Sequence, residues 1–542
     1  MKTHRLRAPA VDGAVLADPP LAQAGGLLTA NSQRLADWDH DFQGRRFGRL
    51  RSLVRAQAIE KARDYHTRAG LDLPQAHPAE AHLVATGHQP ELFHPGVWVK
   101  NFAVARLARE HAAVGLNLVV DNDIPKSASV RVPHRAAGEL RSRLVEFDEW
   151  GGEVPFEDLR ARDEALFATF AQRVRAELGN VVPDPLVDDF WPRALRHREH
   201  TSRLGVRFAL ARREVEASWG ARNWEVPLSA LCESDGFLWF ASHLLAQLPR
   251  FQQVHNDALT RYRALYGIRS KHHPVPALGR RDDWLEAPFW VWRADAPRRR
   301  PLLARQLART MLLRVDGEDE PFLEVPLAPD RDACCAIDQL LALPARGIRL
   351  RTRALTTTMF ARLLLSDLFV HGIGGAKYDE LGDEIVHEFF GITPPAYLTL
   401  SLTLWLDLGT DPATPERLHA TERALRDLTY NPDRNLGGQP PAAARRWIEA
   451  KHAAITRPAV THAERLEQFR VIRQCNEALQ GGVAETRSQL EAERARIVSG
   501  LQRNALARSR EYSFILHSRT RVHDAMAAVG PDARQKNEHP GH

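Results

Sequence analysis

The chain has 542 residues, too many for one ordinary domain of about 100–200 residues, so two or three folded units are expected. Hydrophobic residues make up 44% and charged residues 26%, which excludes a largely disordered chain, and the formal charge of +6 comes from interleaved rather than blocked signs. That pattern argues for a mixed, solvated surface and against a dedicated nucleic-acid binder.

Four cysteines without CxxC spacing fit a reduced, cytoplasmic setting and no thiolate metal site. The N-terminus lacks an apolar export core, and no run approaches the about 20 apolar residues that span a bilayer. A protein that is neither secreted nor membrane-spanning is expected.

In chain order, residues 1 to about 45 are rich in Ala, Gly and Pro and are expected to run over the surface. A basic helix from Arg49 to about Ala69 follows, closed by Gly70. From His82 to Asp123, HLVAT, GHQPELFHPG, VWVKNFAVARLAREHA and LNLVV spell strand, loop, helix and strand, a βαβ unit that implies a parallel sheet.

Residues from about 155 to 270 read as almost wholly helical, with stops at Gly179 and Gly267. EAPFWVWR, TMLLRV and PFLEVPL then read as strands. The stretch from Gly347 to Pro395 reads as strand, helix, glycine loop, a helix starting near Tyr378, and a stop at Gly391 before Pro394 and Pro395; Thr356, Thr357 and Thr358 suggest an N-cap cluster.

After residue 400 helices return, starting with Thr414 as N-cap before Pro415, and two antiparallel helices from His462 to Arg510 suggest a short coiled-coil arm able to form a homodimer. The expected fold is α/β. It has a Rossmann-like parallel sheet core over 81–400 with a helical insertion at about 155–270, preceded by a flexible and helical segment over 1–80. A C-terminal antiparallel helical/coiled-coil domain over 401–525 and a disordered tail over 526–542 complete it.

Ligands of such sheets settle at the carboxyl ends of the strands. Thr86, Gly87, His88 and Gln89 emerge there, as do Asp121, Asn122 and Asp123. Amides near Gly96, with His88 or His94, suit a phosphate or carboxylate, and Asp121 or Asp123 suits a ribose, an amine or a metal-bound water. The second candidate is HGIGGAKYDE, in which Gly372, Gly374 and Gly375 expose backbone amides, Lys377 adds a cation and a helix begins near Tyr378. It is neither a P-loop nor GxGxxG.

His197 with His200, and His272 with His273, have solvated rather than zinc-binding surroundings in sequence, and EAPFWVWR reads as a core strand. None of the four cysteines lies in either candidate loop, so no nucleophile is evident.

Four stretches in this order, TGHQPELFHPG, LNLVVDNDI, HGIGGAKYDELGDEIVHEFFGITPP and the helical arm after 400, resemble the bacillithiol-biosynthesis cysteine-adding enzymes. The resemblance implies a nucleotide-binding Rossmann-like core and a C-terminal coiled coil. It further implies a ligase that adds an amine-bearing molecule such as cysteine to an acceptor. His88 stands where that family has a glutamine, Glu91 where it has a glycine, and Pro95-Gly96 reverses its closing Gly-Pro. Lys100 lies two positions earlier than its lysine, Asn122 stands for the histidine between the aspartates, and Lys377 stands near an alanine.

The expected activity is therefore binding of ATP or another nucleotide, without a metal, and joining of small molecules through positioning by His88, Asp123 and Lys377. A non-catalytic binding or assembly protein that kept the fold is the alternative. Neither nucleic acid nor a membrane is an expected partner.

Overall fold

The structure, a computed structural model, describes residues 6–75, 77–78, 80–136, 139–437 and 440–530. Strand β1 (Val15–Asp18) leads into α1 (Ala24–Ala36) and α2 (Phe47–Arg68). The N-terminal segment, expected to run over the surface, is in fact packed. Helix α1 buries Leu28, Leu35 and Asn31, and the Asn31 amide donates to the carbonyls of Asp367 (2.8 Å) and Ala396 (2.7 Å). Helical spacing puts Phe47, Leu50, Val54, Ala58 and Ala62 of α2 on one buried stripe.

The expected βαβ unit is present as β2 (Leu83–His88), α3 (Pro95–Glu110) and β3 (Val114–Val119), the strands parallel with Val84 opposite Gly115. A hairpin of β4 (Ser129–Ala136) and β5 (Glu139–Glu146) comes next, then α4 (Glu164–Leu178), α5 (Val187–Arg196) and α6 (Leu204–Ser218). The stretch expected to be wholly helical then yields β6 (Trp224–Pro227), parallel to β3 with Leu116 opposite Trp224. Only four residues long, it has too little alternation to show a strand period. Helices α7 (Leu228–Cys232), α8 (Asp235–Ala246) and α9 (Leu248–Tyr266) follow.

Strands β7 (Arg280–Arg281), β8 (Trp284–Arg293), β9 (Ala296–Gln306), β10 (Met311–Val315) and β11 (Leu323–Val325) precede α10 (Cys334–Leu341) and β12 (Ile348–Thr352). They form a separate antiparallel sheet in the order β11-β10-β9-β8-β12, with β7 beside β8. Strand β9 is invisible to pattern because it holds three consecutive arginines and Pro301.

Helix α11 (Ala354–Phe360), β13 (Leu368–His371), α12 (Ile373–Phe390) and β14 (Tyr397–Leu402) complete the main sheet. Its order is β1-β14-β13-β2-β3-β6; all neighbours are parallel except β1, which lies antiparallel on β14. Helix α12 buries Leu381, Ile385, Phe389 and Phe390 and stops at Gly391, whose φ of 70° is left-handed. Arg353, not the threonine trio, is the N-cap of α11; the threonines lie within the helix.

The chain is thus mixed α/β. It divides into two compact units, the second made of residues 133–142 and 407–509. In that unit α13 (Pro415–Tyr430) packs on α16 (Ala484–Ala507), and α14 (Ala442–Thr456) on α15 (His462–Leu479). The expected pairing of α15 with α16 is not the main one. Leu466 and Phe469 of the expected α15 stripe remain 43% and 59% exposed.

From Arg510 the chain belongs to the first unit again, with α17 (Arg519–Ala527) and buried Met526 and Val529 in place of the tail expected from 526. The rest of that tail, 531–542, lies outside the described residues. Among the described residues no helix is long and apolar enough to cross a membrane.

Candidate functional site

The carboxyl ends of β2, β3 and β13 open onto one cavity of about 1010 Å3 within the first unit. Both candidate segments line it. From the first come Gly87, His88, Gln89, His94 and Gly96, joined by Asn122 and Asp123 from the end of β3. The second contributes Gly372, Gly374, Gly375, Lys377 and Tyr378.

Two expected residues do not reach the cavity. Thr86 is buried and its hydroxyl donates to the Val370 carbonyl across the sheet (2.8 Å), a structural bond between β2 and β13. Asp121 accepts from the Ser229 amide (2.8 Å) and hydroxyl, anchoring the start of α7 to the end of β3. Burial, with Glu157 nearby, pushes its pKa up to about 7. Asp121 thus ties β3 to α7 and does not line the cavity.

The two helix starts at the cavity are not equivalent. In α3 the N-cap His94 accepts the Gly96 amide on Nδ1 (3.1 Å), Pro95 has no amide, and the Val97 amide bonds to the His94 carbonyl (3.0 Å). The amides near Gly96 are thus already engaged, contrary to the expectation that they cradle an anion. Gly96 instead allows close packing, because a Cβ there would collide with Arg510 Nη2 and the Leu402 carbonyl oxygen.

In α12, by contrast, Gly372 is the N-cap and no side chain caps the helix. The first-turn amides of a helix have no intrahelical acceptor, and Gly372, Ile373, Gly374 and Gly375 all line the cavity. A Cβ at Gly372 or Gly374 would meet nothing within 4 Å. Of the glycines expected to form a loop before a helix at Tyr378, Gly374 and Gly375 lie in the first turn of the helix itself, which starts five residues earlier, and Gly372 is its N-cap.

The side chains tilt the cavity towards anions. Among the described residues seven cations line it, Arg7, Lys100, Lys126, Arg299, Arg353, Lys377 and Arg510, against the three carboxylates of Glu91, Asp123 and Glu511. Lys100 is 3% exposed and donates to the Gly87 carbonyl (3.0 Å); burial pushes its pKa down to about 8. Arg353 pairs with Glu286 (2.8 Å) and lies over the Trp290 ring at 4.2 Å, while its Nε and Nη2 are buried without partners among the described residues.

Asp123 is held by Gln89 Nε2 (2.6 Å) and Arg299 Nη1 (2.6 Å). Its carboxylate is engaged on both sides. His88 packs edge-on against Phe93, its Nδ1 3.2 Å from the Gln89 carbonyl, and burial with Lys100 nearby pushes its pKa down to about 3. It is therefore a neutral imidazole at physiological pH.

Sequence reasoning missed Arg299, which reaches the cavity from β9, Arg353, the N-cap of α11 just after β12, and Arg510, which returns from beyond the second unit. Only the unbroken arginine run in β9 hinted at the first. The cavity wall is fastened where Asn122 Nδ2 donates to the Thr352 carbonyl (2.9 Å), tying the end of β3 to the end of β12. Among the described residues no group of three or more His, Cys, Asp or Glu side chains is placed to hold a metal ion.

A scan against protein-family models and a search of curated proteins find no match to the chain.

Proposed function

We propose that the large cavity binds ATP or a similar phosphate-bearing small molecule on a Rossmann-like core, and that the protein is a ligase joining an amine-bearing molecule to an acceptor. One observation carries this reading. The β2–α3 turn and the start of α12, nearly 300 residues apart in sequence, line one cavity in which cations outnumber carboxylates by more than two to one. The free amides of α12 and Lys377 would receive a phosphate; Lys100 and Arg353, both desolvated, would hold further negative charge.

Chemistry at such a site is positioning and electrostatics, since His88 is neutral and Asp123 is engaged by its neighbours. Cysteine addition of the bacillithiol type, in the cytoplasm, is the particular reaction the sequence resemblance suggests. A homodimer through the helices of the second unit belongs to the same proposal, and exposed Phe469 is compatible with a coiled-coil contact there.

The test is a thermal-shift titration of the full chain with ATP, ADP and inorganic phosphate. A native-state ligand at about 100 times its Kd adds about 2.7 kcal/mol of stability. A rise in Tm with ATP that is weakened in Lys377→Ala is expected; no rise with any of the three compounds would remove the reading.

A further inference from the structure

Next to the large cavity lies a second pocket of about 200 Å3, also within the first unit and of different chemistry. One side of it is apolar and aromatic, with Leu92, Phe147, Phe156, Leu159, Leu204 and Phe208, and the rest of the lining is polar and includes Lys126 and Arg131. An apolar cavity of about 150 Å3 is enough to bind benzene. The two pockets share Glu91, Lys126 and Glu511, so they meet at a charged mouth.

At that mouth the Glu91 carboxylate stands in the field of Lys126, which favours its charge, and of Asp123, which opposes it. Among the described residues its carboxylate makes no hydrogen bond or close ion pair, whereas Glu511 stands 3.7 Å from both His94 Nε2 and Arg510 Nε. Of the other lining carboxylates, Asp148 is used up by the amides of Arg162 (3.0 Å) and Asp163 (2.8 Å), and Glu149 is exposed and does not line the large cavity. A second observation points to a ligand: Ser513 lines the same pocket, is only 5% exposed, and its hydroxyl has no partner among the described residues. A buried hydroxyl left without a partner is costly unless a guest or water satisfies it.

We infer that the smaller pocket is a second binding site, for a primary amine carrying a branched or aromatic apolar body. The ammonium sits on Glu91 where the two cavities meet, the apolar body fills the phenylalanine-walled interior, and the Ser513 hydroxyl meets a polar atom of the guest. This rests on the ligase reading only for the role of the guest, which becomes the amine that is joined. It also sets the size of that amine: the volume and walls favour a side chain like that of leucine or phenylalanine over one as small as that of cysteine.

Isothermal titration calorimetry of the full chain tests it, using phenethylamine, its neutral isostere 2-phenylethanol, L-phenylalanine and L-cysteine. Phenethylamine should bind at least tenfold tighter than the alcohol, and L-phenylalanine at least tenfold tighter than L-cysteine. Glu91→Gln, a change of one atom at a partly exposed side chain, should erase the preference for the amine, and Ser129→Trp at the pocket rim should abolish binding of both aromatic guests. Equal binding of amine and alcohol, or an undiminished preference in Glu91→Gln, overturns the inference. An ATP thermal shift with no amine binding overturns it while leaving the nucleotide reading intact. Amine selectivity without any ATP, ADP or phosphate shift supports the pocket and removes the nucleotide reading.

Discussion

Replacing Lys100 by methionine should stabilise the protein near neutral pH while weakening its hold on anions. The ammonium is 3% exposed, and burial lowers its pKa from 10.5 to about 8. At about 1.4 kcal/mol per pH unit, keeping this lysine charged inside the fold costs about 3 kcal/mol. Methionine removes that cost but leaves the Gly87 carbonyl without its 3.0 Å donor, a loss of about 1–3 kcal/mol, so the net gain at pH 7.5 is between about 0 and 2 kcal/mol.

The pH dependence is sharper than the net value. Because the folded pKa lies below the unfolded one, the unfolded chain takes up the proton first as pH falls from 10.5 to 8, and stability is lost over that window. The cost should shrink from about 3 to about 1 kcal/mol between pH 7.5 and pH 10, and the advantage of Lys100→Met should shrink with it. Urea denaturation of both proteins at the two pH values measures this, with unrelated titrations cancelling in the difference. A variant more than about 1 kcal/mol less stable at pH 7.5, or a difference that does not change with pH, would refute the account. The same variant should show a reduced Tm shift with phosphate or ATP.

Gly96→Ala should destabilise by about 1–3 kcal/mol in urea denaturation, because the Leu402 carbonyl oxygen is backbone and cannot turn aside; unchanged stability would count against the close packing described. Gly374→Ala, where a Cβ meets nothing within 4 Å, should gain up to about 1 kcal/mol from helix propensity yet weaken the ATP thermal shift, since the methyl stands beside the free amides. Burial pushes the Glu91 pKa up to about 7, opposed by Lys126 and aided by Asp123, while Glu511 shares the mouth. Phenethylamine affinity should therefore rise about tenfold from pH 6 to pH 8 as the carboxylate forms; a flat profile would place the ammonium elsewhere. A folded pKa above the usual 4.5 also means that wild type loses stability relative to Glu91→Gln as pH rises from 4.5 through 7.

Local punctuation was the legible part of this sequence. Gly391 after α12 and Thr414-Pro415 before α13 announce their elements through chemistry that needs no distant partner, whereas His94 and Pro95, expected in the loop, are the N-cap and first residue of α3. The parallel unit of β2, α3 and β3 was visible for the same reason, as two apolar runs flank a full amphipathic helix. Strands whose identity depends on neighbours were not: β6, β13 and β14 are only four to six residues long, and β1 has meaning only against β14.

The site divides in the same way. Residues at strand ends and in the glycine-rich start of α12 were readable, but Arg299, Arg353 and Arg510 come from segments with no local signature of a site. Thr86 and Asp121, whose residue types suggested ligand contacts, lie outside the cavity lining and make bonds between elements of the fold.

The order of strands in the main sheet has a consequence for synthesis on the ribosome. Strand β2 must pair with β13, which emerges about 280 residues later, and at about 5–20 residues per second the nascent chain carries that bare edge for roughly 15 to 60 seconds. The partner of β1 comes later still, with β14. Over that interval the half-built sheet offers a template for pairing with another chain, so production should depend on translation speed and on chaperones more than the stability of the finished protein would suggest.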